Sequence, residues 1–334
     1  MTAGKMKAAW IARFGEPGVL EVREVDRPQI CNDQVLVRVR ASGLNRADLL
    51  QRQGKYPPPP GYPAEIPGIE FAGEVAEVGP AVRLWKPGQR VFGLLGGAAH
   101  AEYISTHERL LAEIPPNLDW PQAAAIPEVF ITAHDALWKQ ARLRPGETVL
   151  INAVASGVGL AAVQLARAMH AVPYGTSRTV EKIRQAEDYR LEAGVMVRDS
   201  FDELIAMANA WTRGRGIDVF IDLVGGQYPN ACQKLMALKG RMVMVGTVAG
   251  GNYELESRYV MGRRLEICGT VLRARALEEK IEVTQAFARE VVPLLTTGVL
   301  EPVIDSTFKL KDIAKAHARL ESNETVGKVV VTIG

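Results

Sequence analysis

Thr148-Val149-Leu150-Ile151-Asn152-Ala153-Val154-Ala155-Ser156-Gly157-Val158-Gly159 is the stretch whose reading decides the fold. It opens as an apolar run of the kind buried strands carry and continues into a cluster of small residues. From 158 to 169 apolar residues return at helical spacing. The expectation is strand, tight turn, helix. In such a unit the first N–H groups of the helix have no intrahelical acceptor, so an anion can sit against them. Close approach needs small residues, usually in the pattern G-x-G-x-x-G. Here those three places hold Val154, Ser156 and Gly159, with Gly157 added, so only the last glycine survives. Ser156 is small and offers a hydroxyl. Val154 is the misfit, because a β-branched side chain resists positive φ.

The surroundings decide between an ordinary helix start and a ligand site. Beyond 148–152, strands are expected at 172–175, 195–197, 218–222, 241–245 and 265–269, with helices at 158–169 and 179–189. Alternation of this kind implies a parallel sheet with helices on both faces. Two later strands also end in small residues, Asp222-Leu223-Val224-Gly225-Gly226 and Val245-Gly246-Thr247. Ligands of such sheets lie at the carboxyl ends of the strands. Three such turns favour a dinucleotide. Enzymes that use NAD usually carry Asp or Glu about 20 residues past the turn. This chain has Gly175-Thr176-Ser177-Arg178 there, with Lys182 one helical turn further. Arginine pairs well with a 2′-phosphate, so the expected cofactor is NADPH. The competing reading makes Arg178 and Lys182 solvated residues at a helix start.

Working outward, the first third reads as β-rich, with strands at 6–11, 19–25, 34–41, 70–78 and 89–93. Pro57-Pro58-Pro59-Pro60-Gly61 marks a loop. A helical stretch is expected at 119–139, with Pro121 and Pro127 at first-turn positions. The chain closes on a strand, a helix at 310–320 and a strand at 328–333. The fold class is therefore α/β, a doubly wound parallel sheet inserted in a β-rich domain that takes back the C-terminus. The expected bounds are 1–124 and 296–334 for the β-rich domain and 125–295 for the insert.

The chain has 334 residues, 47% of them hydrophobic and 23% charged, with a formal net charge of +2. That balance gives no strong field toward nucleic acid or membrane. No apolar run approaches the ~18 residues of a membrane helix. Residues 1–7 lack a signal-peptide core, so a cytoplasmic protein is expected. Cys31, Cys232 and Cys268 are odd in number and far apart, which argues against a disulfide framework. No CxxC or HExxH is present, and no metal site is expected.

Further motifs carry a resemblance. Gly43-Leu44-Asn45-Arg46-Ala47-Asp48, Gln51-Arg52-Gln53-Gly54-Lys55-Tyr56-Pro57, Pro67-Gly68-Ile69-Glu70-Phe71-Ala72-Gly73, Lys86-Pro87-Gly88-Gln89-Arg90-Val91 and Gly327-Lys328-Val329-Val330-Val331 stand in order along nearly the whole chain. In these the chain resembles the zinc-independent quinone oxidoreductases of the medium-chain dehydrogenase/reductase superfamily. They belong to the zeta-crystallin-like branch, and the first two motifs resemble its tumour-suppressor-inducible subgroup. The resemblance implies a GroES-like catalytic domain, an inserted Rossmann domain and a homodimer. It implies NADPH-dependent reduction of quinones or related α,β-unsaturated carbonyls. By position, Asn45, Tyr56 and Thr132 would line the nicotinamide and substrate site, with Tyr56 or water as proton source. Ser156, Gly157, Val158 and Gly159 would hold pyrophosphate. Gly175, Ser177, Arg178 and Lys182 would hold the adenosine phosphate, and Val224, Gly246, Val271, Leu272 and Arg273 would flank the nicotinamide half. Zinc-dependent relatives have cysteine where this chain has Leu44-Asn45 and His-Glu where it has Ile69-Glu70. Where parts of the subgroup have a tyrosine near the third strand, this chain has Val197-Arg198.

Plainer roles stand beside these. Asn45 is equally a helix cap beside Asp48, Tyr56 a loop-packing residue, and Thr132 an ordinary helix residue. Glu70 reads as a structural partner, Arg273 and Arg275 as surface charges, and His100 and His107 as structural histidines. Two further functions remain open. One is a 2-alkenal or enoyl-thioester reductase on the same scaffold. The other is a non-catalytic NADPH-binding redox sensor.

Overall fold

The structure is a computed structural model that describes residues 4–334. The first three residues of the expected polar segment 1–7 lie outside the described ones. The chain divides into two compact units, Met1–Ile131 with Leu272–Gly334, and Thr132–Val271. The sequence-based bounds were 124/125 and 295/296. The second bound differs because the helix Leu277–Glu290 belongs to the first unit, where its Phe287 packs edge-on against Phe92 at 5.7 Å, and the first bound falls inside the helix Pro127–His134.

The first unit is β-rich. Its strands are β1 (Lys5–Ile11), β2 (Leu20–Asp26), β3 (Gln34–Gly43), β4 (Glu70–Val78), β5 (Arg90–Leu94), β6 (Tyr103–His107) and β7 (Leu111–Glu113). Strands β1 and β2 form an antiparallel pair. The second unit contributes β8 (Thr148–Ile151), β9 (Val172–Ser177), β10 (Ala193–Met196), β11 (Ile217–Asp222), β12 (Met236–Met244) and β13 (Glu266–Gly269). The C-terminal segment then adds β14 (Ile304–Lys309) and β15 (Lys328–Thr332) to the first unit's sheet, in the order β14-β15-β3-β4-β5-β7, with β6 also on β3. The antiparallel register Val330↔Gly43 and Val331↔Ser42 returns the C-terminus to the N-terminal domain. Val35, Val37, Val39, Phe71, Val91, Leu111, Val329 and Val331 form its core, one apolar face per strand as period-two patterning requires.

The second unit's sheet is wholly parallel, in the order β10-β9-β8-β11-β12-β13. Counted from its own first strand that is 3-2-1-4-5-6, the doubly wound order whose switch point falls between β8 and β11. Its core gathers Leu150, Tyr174, Val195, Leu204, Phe220, Met236 and Met242.

Several elements differ in extent from their sequence reading. Strand β12 begins five residues before the expected 241, since Lys239 at φ 60° and Gly240 interrupt the apolar pattern without ending the strand. The stretch 119–139 breaks at Ala125 into helices Trp120–Ala124 and Pro127–His134, followed by a π-helical segment Asp135–Gln140. Both prolines do sit in first turns. The last helix is Ile313–Glu321, preceded by a single 3-10 turn at Leu310–Asp312. Among the described residues no helix is long and apolar enough to cross a membrane.

Candidate active site

Strand β8 delivers the chain into the small-residue turn. The positive φ that the turn requires falls on Ala153, at 47°, rather than on Val154. Alanine bears that strain more easily than a β-branched residue. Val154 is fully buried, and its N–H donates to Thr176 O at 3.0 Å, tying the turn to β9. Space for its side chain comes from Gly175, where a Cβ would stand 2.7 Å from Val154 Cγ2. The glycine missing at 154 is thus matched by a glycine on the neighbouring strand.

Ser156 is the N-cap of the helix Gly157–Ala168, and its Oγ accepts from Gly159 N at 3.1 Å. Gly159 permits the helix to pass close under the turn, since a Cβ there would stand 2.5 Å from Val154 O. Gly157 and Val158 occupy the first two helical positions, where backbone N–H groups have no intrahelical acceptor. The arrangement suits an anion such as pyrophosphate.

At the switch point the sheet is fastened by a pair that sequence reading missed. Asn152 Nδ2 donates to Asp222 Oδ1 at 2.5 Å, and Asn152 Oδ1 accepts from Leu223 N at 2.6 Å. Asp222 Oδ1 also accepts from Val224 N and Gly225 N. The Asp222 carbonyl accepts from Val245 N at 2.8 Å and Gly246 N at 3.1 Å. Two buried polar residues therefore fix the carboxyl ends of β8, β11 and β12 together. The available signal was a polar residue ending each of two apolar strands. Gly246 abuts Leu223 O, which a Cβ would meet at 2.5 Å. Next to it a cavity of about 320 Å³ is lined by Gly246, Thr247, Tyr253, Thr270 and Val271, among others. Val271 is half exposed, Leu272 buried.

At the end of β9, Ser177 is buried and Arg178 exposed. The Arg178 carbonyl accepts from Arg198 Nε at 2.8 Å, and Thr179 caps the next helix through Lys182 N at 3.3 Å. Thr176 Oγ1 lies 3.4 Å from Tyr228 Oη. Burial, above all, pushes the Tyr228 phenol up. The Arg198 guanidinium is thereby held at this strand end, and the basic residues Arg178 and Lys182 stand in the segment that follows β9.

In the first unit Asn45 begins the helix Arg46–Arg52, and its N–H donates to Asp48 Oδ2 at 2.8 Å. The side chain of Asn45 does something else. Oδ1 accepts from Lys328 Nζ at 2.6 Å, while Nδ2 donates to Glu70 Oε1 at 2.9 Å and approaches Gly43 O at 3.4 Å. Lys328 and Glu70 are themselves buried and paired at 2.5 Å. Glu70 Oε2 accepts from Glu128 N, in the first turn of Pro127–His134. Glu70 thus has the structural partnership the sequence suggested. Asp48 Oδ1 accepts from Gly68 N, which fixes the turn before β4.

Tyr56 is half buried, and Arg273 lies beside it with its guanidinium carbon 4.9 Å from the ring centroid. Burial pushes the Tyr56 phenol up; Arg273 opposes that and Glu128 reinforces it. Arg273 is not a surface charge, since it is 5% exposed, whereas Arg275 is partly exposed. Thr132 is buried on the helix Pro127–His134 and counts with the second unit. His100 is fully buried, with Nδ1 2.6 Å from Ser42 Oγ, and His107 Nδ1 accepts from Arg109 N. Both histidines are structural.

The donor set around Asn45 does not suit a metal. A carboxylate already neutralised by a buried ammonium, next to a carboxamide, offers no vacant anionic ligands. Among the described residues no group of three or more His, Cys, Asp or Glu could hold a metal ion.

Comparison with known proteins matches residues 31–116 to the alcohol dehydrogenase GroES-like domain and residues 188–331 to the zinc-binding dehydrogenase family. The quinone oxidoreductase of Lama guanicoe is 33% identical over 333 residues, covering 98% of both chains. A solved NAD-dependent alcohol dehydrogenase superposes with a TM-score of 0.87 at 29% identity, covering 98% of this chain and 100% of that one. A mycobacterial protein solved with NADPH gives a TM-score of 0.87 at 25% identity, with the same coverage.

Proposed function

The chain belongs to the quinone oxidoreductase family of the medium-chain dehydrogenase/reductase superfamily, and from that premise we propose an NADPH-dependent, zinc-independent reductase of quinones or related α,β-unsaturated carbonyls. The observation that carries the cofactor choice is Arg178 at the end of β9, where users of NAD carry an acid. Ser156, Gly157, Val158 and Gly159 would hold the pyrophosphate on the helix start. Ser177, Arg178 and Lys182 would hold the adenosine phosphate. Gly175 adds to that end by seating Val154. Val224, Gly246, Val271 and Leu272 would flank the nicotinamide half.

NADPH, when bound, supplies the hydride. A quinone or enone is electrophilic without a Lewis acid, which fits a site whose carboxylate is spent on Lys328. Tyr56 is a phenol, protonated at neutral pH even at its ordinary value, and burial pushes it up further. It can therefore donate to the oxygen on which charge develops, with water as the alternative proton source. Asn45 presents a carboxamide whose orientation is set by Lys328 on one side and Glu70 on the other. Its role is a hydrogen bond to substrate or to the nicotinamide ribose. Thr132 would bond the nicotinamide amide or a water near it. The parallel sheet ends on β13, an edge strand suited to pairing in a homodimer.

The test is steady-state kinetics with NADPH against ortho-quinones, 2-alkenals and enoyl-CoA thioesters, with metal analysis of the same preparation. Quinone turnover without stoichiometric zinc supports the reading. Turnover of crotonyl-CoA with no quinone activity overturns it in favour of the enoyl reductase, and NADPH binding with no oxidation favours a sensor.

A further inference from the structure

The Arg273 guanidinium ties together three segments around residues 55–63. Nε donates to Gly96 O at 2.8 Å, Nη1 to Tyr56 O at 3.2 Å and Nη2 to Gln51 Oε1. Gln51, fully buried, passes the restraint on, since its Nε2 donates to Ala64 O at 2.9 Å and approaches Ile66 O at 3.4 Å. One buried cation and one carboxamide thus hold both ends of residues 55–63. The middle of that loop rests on a pair of glycines. A Cβ on Gly96 would stand 2.5 Å from Tyr62 Cε2 and 2.7 Å from Pro59 Cγ, and on Gly97 it would stand 3.2 Å from Tyr62 Cβ. The carbonyl of Gly96 is the one Arg273 binds.

We propose that Arg273 is a positioning residue for substrate, acting through Tyr56 and its loop rather than by contact with the cofactor. The guanidinium fork satisfies three acceptors set by different segments and also lies near the Tyr56 ring. A lysine keeps the charge but lacks the planar fork, so it cannot reproduce these contacts. The Tyr56 backbone carbonyl and ring are both restrained, which fixes where the phenol points. The proposal rests on the reading of Tyr56 as a substrate contact.

The experiment compares wild type, Arg273→Lys, Arg273→Ala and Gln51→Leu in the full chain. It reads amide hydrogen exchange at Lys55, Tyr56, Gly61 and Tyr62, the residues of 55–63 that carry a backbone N–H, KM and kcat for an ortho-quinone, and the NADPH dissociation constant by cofactor fluorescence. Arg273→Lys is expected to speed exchange in that segment and to raise quinone KM by about tenfold, with NADPH affinity within about twofold of wild type. Gln51→Leu, which severs one of the fork's contacts and the anchors at Ala64 and Ile66, shifts both readouts in the same direction. If Arg273→Ala does not fold, these two variants decide the matter. Weakened NADPH binding with unchanged loop exchange and quinone KM overturns the proposal and makes Arg273 a cofactor contact. Unchanged values throughout overturn it as well. A wild type that reduces no quinone or enone refutes the functional reading, and loop exchange alone then decides whether Arg273 holds the loop.

Discussion

Val154 and Gly175 occupy one shared volume at the heart of the dinucleotide turn, with Val154 Cγ2 lying 2.7 Å from where a Gly175 Cβ would be. Gly175→Ala therefore overpacks a buried contact, at a cost of about 1–3 kcal/mol. Adding Val154→Ala removes the Cγ1 and Cγ2 contacts but keeps Cβ, which stands 2.8 Å from the added methyl, so it relieves part of the clash and the double variant is more stable than the sum of single effects predicts. Urea denaturation of the four proteins in this cycle measures the coupling, and strict additivity would mean that the two residues do not share space.

Arg178 is exposed at the end of β9, and its carbonyl is held by Arg198. Arg178→Ala should weaken NADPH binding by about tenfold, the loss of roughly 1.4 kcal/mol of charged hydrogen bonding. NADH binding should change little. Calorimetric titration with both cofactors checks this, and an equal loss for the two would remove the 2′-phosphate role.

The Lys328–Glu70 pair is buried on both sides and bonded through Asn45. Removing one partner strands the other charge. Lys328→Met and Glu70→Gln should each cost about 3–5 kcal/mol, and the double variant less than the sum. Chemical denaturation midpoints read the effect. Loss of less than about 1 kcal/mol in both singles would show that the pair is not a structural unit.

His100 and His317 are fully buried, their ring centroids 6.3 Å apart, and among the described residues neither ring nitrogen of His317 has a hydrogen-bond partner. Burial, first of all, lowers both imidazoles, His317 well below the ordinary value. The unfolded chain then binds more protons than the folded one below about pH 6.5. Stability is fully present above that pH and declines as pH falls toward the lowered values, by up to about 1.4 kcal/mol per unit for each histidine. His317→Leu should flatten this slope by roughly half. Urea midpoints between about pH 7.5 and pH 5 measure it, and an unchanged slope would place the acid sensitivity elsewhere.

The strand–helix alternation and the return of the C-terminus to the first domain were legible because they rest on local periodicity. The 3-2-1-4-5-6 order was not legible, since alternation with right-handed crossovers is compatible with more than one strand order. Short elements escaped notice, among them β6 and β7, since neither is long enough to show a period. The cofactor turn was legible by placement, yet the reason it tolerates Val154 was not. That reason lies on another strand, at Gly175, and no local pattern encodes it. The same holds for Arg273, whose partners stand 177 to 222 positions away in the chain, and for the Asn152–Asp222 clamp, 70 positions apart.

The central claim is that the turn Ala153–Gly159 and Arg178 serve NADPH in quinone reduction. The most direct measurement is kcat/KM for NADPH and for NADH with one ortho-quinone as acceptor. A ratio of about ten or more in favour of NADPH is expected from one charged contact. A preference for NADH, or no quinone-dependent oxidation of either cofactor, would contradict it.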